Sequence, residues 1–220
     1  MNKDFDEFIT IELPDYAISI AKSEVLKRVI LLIVNRELNS GAGYVSRPVA
    51  EDLQYIYQID ISDITEKKTI ISLQNKHLKD ADFTEEELYA AAYKNTIEKY
   101  PSKIRVLGEF HKCDLLGDGF IKNPSENMYI ISNAFFQYGA STILYPEVAD
   151  ELNKLLGEYI LIPFSIHGWM ACKPQDKRTQ DFNSKIKEFY YSKLDPSEWL
   201  SNHIYKFDEE GNLVSVYEKG

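Results

Sequence analysis

The sequence is poor in cysteine and in long apolar runs. Only Cys113 and Cys172 occur among 220 residues. A disulfide scaffold is excluded, because two thiols form at most one bridge. The longest apolar run covers residues 29–34, whereas a membrane helix needs about 20 apolar residues. The acidic N-terminus also carries no apolar stretch of signal-peptide length. We therefore expect a cytoplasmic protein that makes no membrane contact.

Positive charge is also scarce. The chain has 25 Lys and Arg against 35 Asp and Glu, which gives a net charge of −10. Non-specific binding to nucleic acid needs a surplus of positive charge, so we expect no direct contact with DNA or RNA. A partner with a basic surface suits the acidic balance better, because complementary charge steers protein association.

The abundant features are apolar and aromatic. Hydrophobic residues make up 44% of the chain, close to the average for globular proteins, so a packed core is expected. The chain also has 15 tyrosines. Tyrosine is enriched in protein interfaces because it supplies apolar area together with a polar hydroxyl. An acidic, tyrosine-rich surface favours an interaction protein.

Hydrophobic periodicity predicts an α+β fold with largely antiparallel sheets and flanking helices. Residues 29–34 suit a strand buried on both faces or a buried helical turn, and Thr84 with Glu87 forms the capping box of a helix that ends before Pro101. Strands are predicted at 53–61, 69–73, 128–132, 141–145, 159–163, 169–172, 203–207 and 213–217, and further helices at 146–156 and 178–192.

The segment 114–127 contains two glycines and a proline and is predicted to be a connector. It would separate an N-terminal α+β half, residues 1–113, from a C-terminal α+β half, residues 128–220. The alternative is that both halves form one compact domain.

Ser165 and His167 are the candidate catalytic residues. Two positions apart in a strand, their side chains would share a face, as a nucleophile and its base require. However, the sequence has no Gly-x-Ser-x-Gly motif and no evident third group to orient the imidazole. The other interpretation is that both residues hold a turn that Gly168 permits. A non-enzymatic protein is therefore favoured, and a hydrolase centred on Ser165 and His167 is the alternative.

Metal and phosphate sites are not indicated. The pairs His111 with Cys113 and His167 with Cys172 lack the Cys-x2–4-Cys spacing of structural zinc sites. The paired glycines at 41 and 43 and at 117 and 119 are not followed by the Lys-Ser or Lys-Thr of a phosphate-binding loop. We expect neither a metal ion nor another cofactor.

Five motifs together resemble an uncharacterised "domain of unknown function" family of Gram-positive gut bacteria and their mobile elements. They are NKHL (75–78), TEEELY (84–89), GASTILYP (139–146), LIPFSIH (161–167) and LSNHIYKFD (200–208), and the likeness spans residues ~25–217. Where the family usually has a Pro-Ser-Ser-Ile-His-Glu-like motif, this chain has Gly168 in place of the acid. The resemblance implies no catalytic residues. It does imply a mobile-element or phage-type accessory protein that binds and inhibits a host protein of defence or nucleic-acid processing.

Overall fold

The computed structural model describes residues 7–65, 67–107, 127–174 and 194–218. Within these ranges the strands are β1 (Phe8–Glu12), β2 (Ala17–Ala21), β3 (Ile30–Asn35), β4 (Ser46–Pro48), β5 (Leu53–Asp60), β6 (Ile70–Ser72), β7 (Ser102–Val106), β8 (Met128–Asn133), β9 (Ile160–Ser165), β10 (Gly168–Cys172), β11 (His203–Phe207) and β12 (Leu213–Glu218). The α-helices are α1 (Lys22–Arg28), α2 (Ser62–Thr65), α3 (Asn75–Asp80), α4 (Glu85–Lys99) and α5 (Pro146–Leu156). Two 3₁₀ helices cover Gly139–Leu144 and Pro196–Glu198.

The strands form three antiparallel groups. β1 and β2 make a hairpin, β5 pairs with β3 on one side and with β4 and β6 on the other, and the six remaining strands follow the order β12-β11-β9-β10-β8-β7. The predicted α+β fold with antiparallel sheets and flanking helices is confirmed. No helix in the described ranges is both long and apolar enough to cross a membrane.

The central strands of the large sheet are buried on both faces. In β9, Leu161 packs into the main hydrophobic cluster, whereas its neighbours Ile160 and Ile162 pack into a second cluster. In β10, Trp169 packs into the main cluster and Met170 into the second cluster. Burial of both faces explains why these strands are continuous apolar runs instead of alternating apolar and polar residues.

The main hydrophobic cluster contains residues from both sides of the undescribed range 108–126. Ile33 and Tyr57 lie in it beside Trp169 and Tyr205, and β7 pairs with β8 across the same range. The predicted connector 114–127 lies outside the described residues except for its last residue, and the division into two halves stays a prediction.

The helix predictions over 84–100 and 146–156 are confirmed. Thr84 Oγ1 accepts a hydrogen bond from the Glu87 amide at 3.1 Å, and the Glu87 carboxylate accepts one from the Thr84 amide at 3.0 Å. This reciprocal capping starts α4. α5 begins with Pro146 and is followed by Gly157 with φ 70°, as the preferences of helix ends require. The helix predicted at 178–192 lies outside the described residues.

The strand predicted at 141–145 is wrong. These residues belong largely to the 3₁₀ helix Gly139–Leu144, although β-branched Thr142 and Ile143 favour a strand. The hydroxyls explain the difference, because Thr142 Oγ1 donates to the Gly139 carbonyl at 2.8 Å. Ser141 Oγ accepts the Ile33 amide at 3.1 Å and donates to a further β3 carbonyl. Bonds to the backbone therefore override local strand propensity.

Candidate functional site

The loop of residues 134–138, which we call the Asn133 loop, joins β8 to the first 3₁₀ helix. Asn133 is 1% exposed, and its amide group bonds the loop backbone. Its Oδ1 accepts from the Phe135 amide at 2.9 Å and the Gln137 amide at 3.4 Å, and its Nδ2 donates to the Gln137 carbonyl at 2.6 Å. A buried side chain thus fixes the shape of the loop.

The Asn133 loop has an unusual backbone. Phe136 and Tyr138 both have φ 54°, in the left-handed region that bulky residues seldom adopt. Such conformations cost about 1–3 kcal/mol each and cluster at binding sites and other functional sites. The backbone therefore marks this loop as a candidate binding element.

The Asn133 loop presents aromatic side chains to solvent. Phe135 is 62% exposed and Tyr138 is 44% exposed. The Phe135 ring meets Tyr100 edge-on, with centroids 6.1 Å apart, and the Tyr138 ring lies 5.5 Å from the imidazole of His167. Each exposed aromatic ring therefore packs against another ring of the protein, which restricts its motion before a partner binds, as in preorganised binding surfaces.

Aromatic side chains continue from this loop along α4. Tyr89 and Tyr93 lie one helical turn apart with ring centroids 5.8 Å apart. Tyr100 follows the last residue of α4 two turns beyond Tyr93, so it falls on the same side of the helix. Tyr89, Tyr93 and Tyr100 are half-buried. We refer to Tyr89, Tyr93, Tyr100 and Phe135 together as the aromatic ridge.

One end of the aromatic ridge carries an arginine stacked on tyrosine. The Arg47 guanidinium lies 4.0 Å from the ring centroid of Tyr89, within the range of a cation–π contact. Arg47 Nε donates to Glu85 Oε1 at 2.8 Å, and the Tyr57 hydroxyl donates to the same carboxylate. Burial acts to raise the pKa of Glu85, but the hydrogen bonds from Arg47 and Tyr57 outweigh it and lower that pKa. The pair therefore stays charged.

Negative charge lies near the Tyr100 end of the aromatic ridge. Glu147 lies in the first turn of α5, and its Oε1 is 3.3 Å from the Ser102 hydroxyl. Burial raises the pKa of Tyr93, and the nearby Tyr89 and Glu147 raise it further. The contact of the Glu147 carboxylate is with Ser102, two residues beyond Tyr100. The exposed face of α5 adds two more acids, Asp150 and Glu151.

The buried Tyr145 fixes the C-terminal end of α4. Its hydroxyl lies 3.2 Å from both the Thr96 carbonyl and the Tyr100 carbonyl. Burial raises the pKa of Tyr145, and the Glu147 charge raises it further, so the hydroxyl remains a hydrogen-bond donor. It satisfies two carbonyls near the C-terminal end of α4, which fixes the position of Tyr100.

Ser165 and His167 are brought together, but not as a strand pair. Ser165 ends β9, whereas His167 lies in the tight turn that leads to β10. The hydrogen bond between them runs from the His167 backbone amide to Ser165 Oγ, at 3.0 Å. The His167 carbonyl accepts from Ser132 Oγ at 2.7 Å. Both residues therefore help to hold this turn against β8.

The imidazole of His167 faces the Asn133 loop and an acid. Its Nδ1 accepts the Tyr138 amide at 3.0 Å, and its Nε2 lies 3.4 Å from Glu198 Oε1. Because Nδ1 accepts a hydrogen bond, a neutral ring carries its proton on Nε2, toward Glu198. Sequence reasoning missed Glu198, which is distant in sequence and follows the undescribed range 175–193.

Metal ligands do not converge in the described part of the chain. No group of three or more His, Cys, Asp or Glu side chains there could hold a metal ion. His111 and Cys113 lie outside the described residues, and Cys172 is buried in β10, away from the turn of His167.

A polar cleft of about 550 Å³ lies at the C-terminal end of α1. Its charged groups largely neutralise one another. Arg28 donates to both carboxylate oxygens of Asp63, at 2.6 and 3.0 Å, and Lys27 pairs with Glu24 at 2.7 Å. Asn95 donates to the Leu26 carbonyl. These groups stabilise the junction of α1 and α4 and do not favour a ligand of either charge.

Sequence reasoning also missed Asn133 and its loop. The available signal was the sequence Asn-Ala-Phe-Phe-Gln-Tyr-Gly at 133–139, in which three aromatic residues follow an asparagine and precede a glycine. Asparagine often bonds nearby backbone amides in turns, and adjacent aromatic residues in a turn are unusual.

Comparison with known proteins gives one match. A model of a family of unknown function (DUF5688) matches residues 13–209. No curated protein and no solved structure matches the chain. The matched range contains the aromatic ridge, the Asn133 loop, Ser165 and His167.

Proposed function

The chain belongs to the DUF5688 family, and from this starting point we propose that it is a non-enzymatic, protein-binding protein whose binding surface is the aromatic ridge with the Asn133 loop. One observation carries the proposal. Phe135 and Tyr138 are exposed, and the loop that carries them has two aromatic residues with a left-handed backbone. The buried Asn133 hydrogen-bonds the backbone of this loop and fixes its shape. Rigid, exposed aromatic side chains are the typical anchors of protein interfaces.

The surrounding charge supports a basic partner. The chain has a net charge of −10. Glu147, Asp150 and Glu151 are exposed on α5, and Glu147 contacts Ser102 next to the Tyr100 end of the ridge. A positively charged protein surface would be steered toward these acids, and the aromatic side chains would then lose water on contact. The proposal includes a cytoplasmic mobile-element or phage-type protein that inhibits a host protein of defence or nucleic-acid processing. This finer part rests on the family resemblance.

A capture experiment tests the proposed surface. We expect the immobilised protein to retain a cytoplasmic protein from a Gram-positive gut bacterium at ~50 mM salt. Phe135→Ser should reduce retention about tenfold or more, because the anchor residues of interfaces contribute about 2 kcal/mol or more. Phe8→Ser is the matched control, since Phe8 is 52% exposed on β1, and it should leave retention unchanged.

Two further arms complete this experiment. Nuclease treatment of the extract should not alter retention, because no direct contact with nucleic acid is expected. Raising salt to ~150 mM shortens the Debye length to about 8 Å and should slow association. Equal retention by the wild type and Phe135→Ser, or equal loss in both phenylalanine variants, would contradict the proposed surface.

The hydrolase remains the second candidate, since Glu198 lies 3.4 Å from His167 Nε2 and could orient the imidazole. If the turn is only structural, His167→Ala should lower the free energy of unfolding by about 1–3 kcal/mol, because the Tyr138 amide loses its acceptor. No ester or amide cleavage should then be detected in either protein. A wild type that cleaves such substrates, beside a folded but inactive His167→Ala, would decide for the hydrolase.

A further inference from the structure

Within the described ranges, β7 is the last strand of the large sheet and pairs with β8 on one side only. The Ala134 amide donates to the Pro101 carbonyl at 3.1 Å, just before the paired residues begin. In an antiparallel pair, residues that exchange backbone hydrogen bonds alternate with residues that exchange none. Two and four positions beyond Pro101, the backbone groups of Lys103 and Arg105 therefore bond β8.

The remaining backbone groups of β7 point away from β8. They are the amides and carbonyls of Ser102, Ile104 and Val106, and none of them has a hydrogen-bond partner among the residues that the structure describes. All three residues are half-buried, so the edge is not enclosed in the core. A strand edge of this kind is a template for an extended segment of another molecule.

One face of β7 carries positive charge. The side chains of Lys103 and Arg105 are exposed and share the face opposite to Ile104. The Arg105 guanidinium lies 5.0 Å from the ring centroid of Phe136. In the part of the chain that the structure describes, no carboxylate lies within 4 Å of Lys103 Nζ. A segment that pairs with this edge therefore meets a lysine whose charge is not neutralised by a neighbouring acid.

These charges make a second copy of the chain a poor occupant of the edge. Antiparallel self-pairing centred on Ile104 would place each lysine of β7 opposite an arginine. Centring the pair on Lys103 or on Arg105 would place that cation opposite itself. Like charges directly opposite each other destabilise a sheet, whereas opposite charges stabilise it. The edge therefore favours an acidic segment of a different protein.

We infer that the outer edge of β7 binds an extended acidic segment of a partner protein as a seventh strand, antiparallel to β7, with carboxylates opposite Lys103 and Arg105. Backbone hydrogen bonds around Ile104 provide affinity, and the charged pairs provide selectivity. This inference goes beyond the proposed surface, because it uses the backbone of β7. The two sites are continuous, since Tyr100, which contacts Phe135, precedes β7 by two residues.

Hydrogen exchange of the free protein tests whether the edge is open. The Lys103 and Arg105 amides bond β8 and should exchange about tenfold or more slowly than the Ile104 and Val106 amides. Slow exchange of Ile104 and Val106 in a monomer would mean that the chain itself covers the edge. The same result in a dimer, identified by light scattering, would mean self-pairing. Either result would overturn the inference.

Two peptides of opposite charge test the occupant, acetyl-Val-Glu-Val-Glu-Val-amide and acetyl-Val-Lys-Val-Lys-Val-amide. With the central valine opposite Ile104, the charged residues lie opposite Lys103 and Arg105. At ~150 mM salt the Debye length is about 8 Å, so distant acids of the protein contribute little. NMR titration should give an acidic peptide that binds about fivefold or more tightly than the lysine peptide. At ~80% occupancy, the Ile104 and Val106 amides should exchange about fivefold more slowly than in the free protein.

Methylation of the acidic peptide tests the backbone pairing without altering the protein. The amide of the central valine faces Ile104, whereas the amide of the first glutamate faces away from β7. An N-methyl group on the valine should therefore reduce affinity about tenfold or more, and the same group on the glutamate less than about twofold.

Two lysine variants locate the charged pair. Lys103→Gln should weaken binding of the acidic peptide about threefold. Lys206→Gln is the matched control, because Lys206 is exposed on β11, four strands and about 19 Å from β7 in the same sheet. It should leave the affinity unchanged. Unchanged melting temperatures would establish that both variants are folded.

The outcomes separate this inference from the proposed function. No binding, equal affinity for both charged peptides, equal effects of the two methyl groups, or equal effects of the two lysine variants would overturn the strand site. If Phe135→Ser still loses its partner in that case, the protein-binding function stands without the strand. If instead the peptides behave as expected but Phe135→Ser retains its partner, the strand site stands and the proposed surface is wrong at the Asn133 loop.

Discussion

Gly139→Ala should strongly destabilise the protein. A Cβ at position 139 would lie 2.2 Å from Ser132 Oγ, 2.6 Å from the Asn133 amide nitrogen and 2.8 Å from the His167 carbonyl oxygen. Two of these three atoms belong to the backbone, so side-chain rotation alone cannot make room. Overpacking costs about 1–3 kcal/mol where neighbours can adjust, and more where they cannot. We expect a loss of about 3 kcal/mol or more.

Gly41→Ala is the matched control for this prediction. A Cβ at position 41 meets no atom within 4 Å, and the same methyl group is added. Urea unfolding followed by circular dichroism should give midpoints that are nearly equal for the wild type and Gly41→Ala but far lower for Gly139→Ala. Similar midpoints for the two variants would mean that the contact of the Asn133 loop with the turn of His167 is not tight.

Gly139 also connects stability to the proposed binding surface. The glycine allows β8, the first 3₁₀ helix and the turn of His167 to approach one another, and that approach allows the Tyr138 amide to reach His167 Nδ1. The positions of the exposed aromatic residues of the loop therefore depend on the close backbone approach at Gly139, which has no side chain of its own. A partial loss of retention in a folded Gly139→Ala would reflect a displaced loop and not a removed contact.

Local signals predicted much of the fold correctly. The strand β5 follows from the every-second-residue spacing of Leu53, Tyr55, Tyr57 and Ile59, all of which are buried, although the other face is partly buried as well. The helix α5 follows from a proline at its start and a glycine after its end. These signals depend only on neighbouring residues. They work because local preference and tertiary packing agree at these positions.

Tertiary contacts decide the features that the sequence did not predict. Tyr100 meets Phe135 because β7 pairs with β8, a contact that no local pattern encodes. Likewise, Glu198 reaches His167 from a distant part of the chain. The tyrosine content indicated an interaction protein, but which tyrosines form one surface depends on the packing of α4 against its neighbours.

The second large effect on stability is expected at the edge of β3 that faces away from β5. Two buried hydroxyls bond the backbone there, where a neighbouring strand would otherwise pair. Thr96 Oγ1 accepts the Leu31 amide at 2.8 Å, and Ser141 Oγ accepts the Ile33 amide at 3.1 Å. Ser141 also donates to the Leu31 carbonyl at 3.1 Å. An unpaired strand edge inside the protein would leave backbone groups without partners. The hydroxyls from α4 and the first 3₁₀ helix therefore let β3 end the four-stranded sheet in the core.

Ser141→Ala should accordingly lower the free energy of unfolding by about 2–6 kcal/mol, since two buried backbone groups lose their partner at about 1–3 kcal/mol each. Ser40→Ala, which removes an exposed hydroxyl bonded to the Glu37 carbonyl, should cost less than about 0.5 kcal/mol. Hydrogen exchange gives the residue-level check. The Ile33 amide should exchange faster relative to Leu31 in Ser141→Ala, and the order should reverse in Thr96→Val, which removes the acceptor of Leu31. If the two amides respond alike in both variants, the Leu31 and Ile33 amides are not protected separately by Thr96 and Ser141.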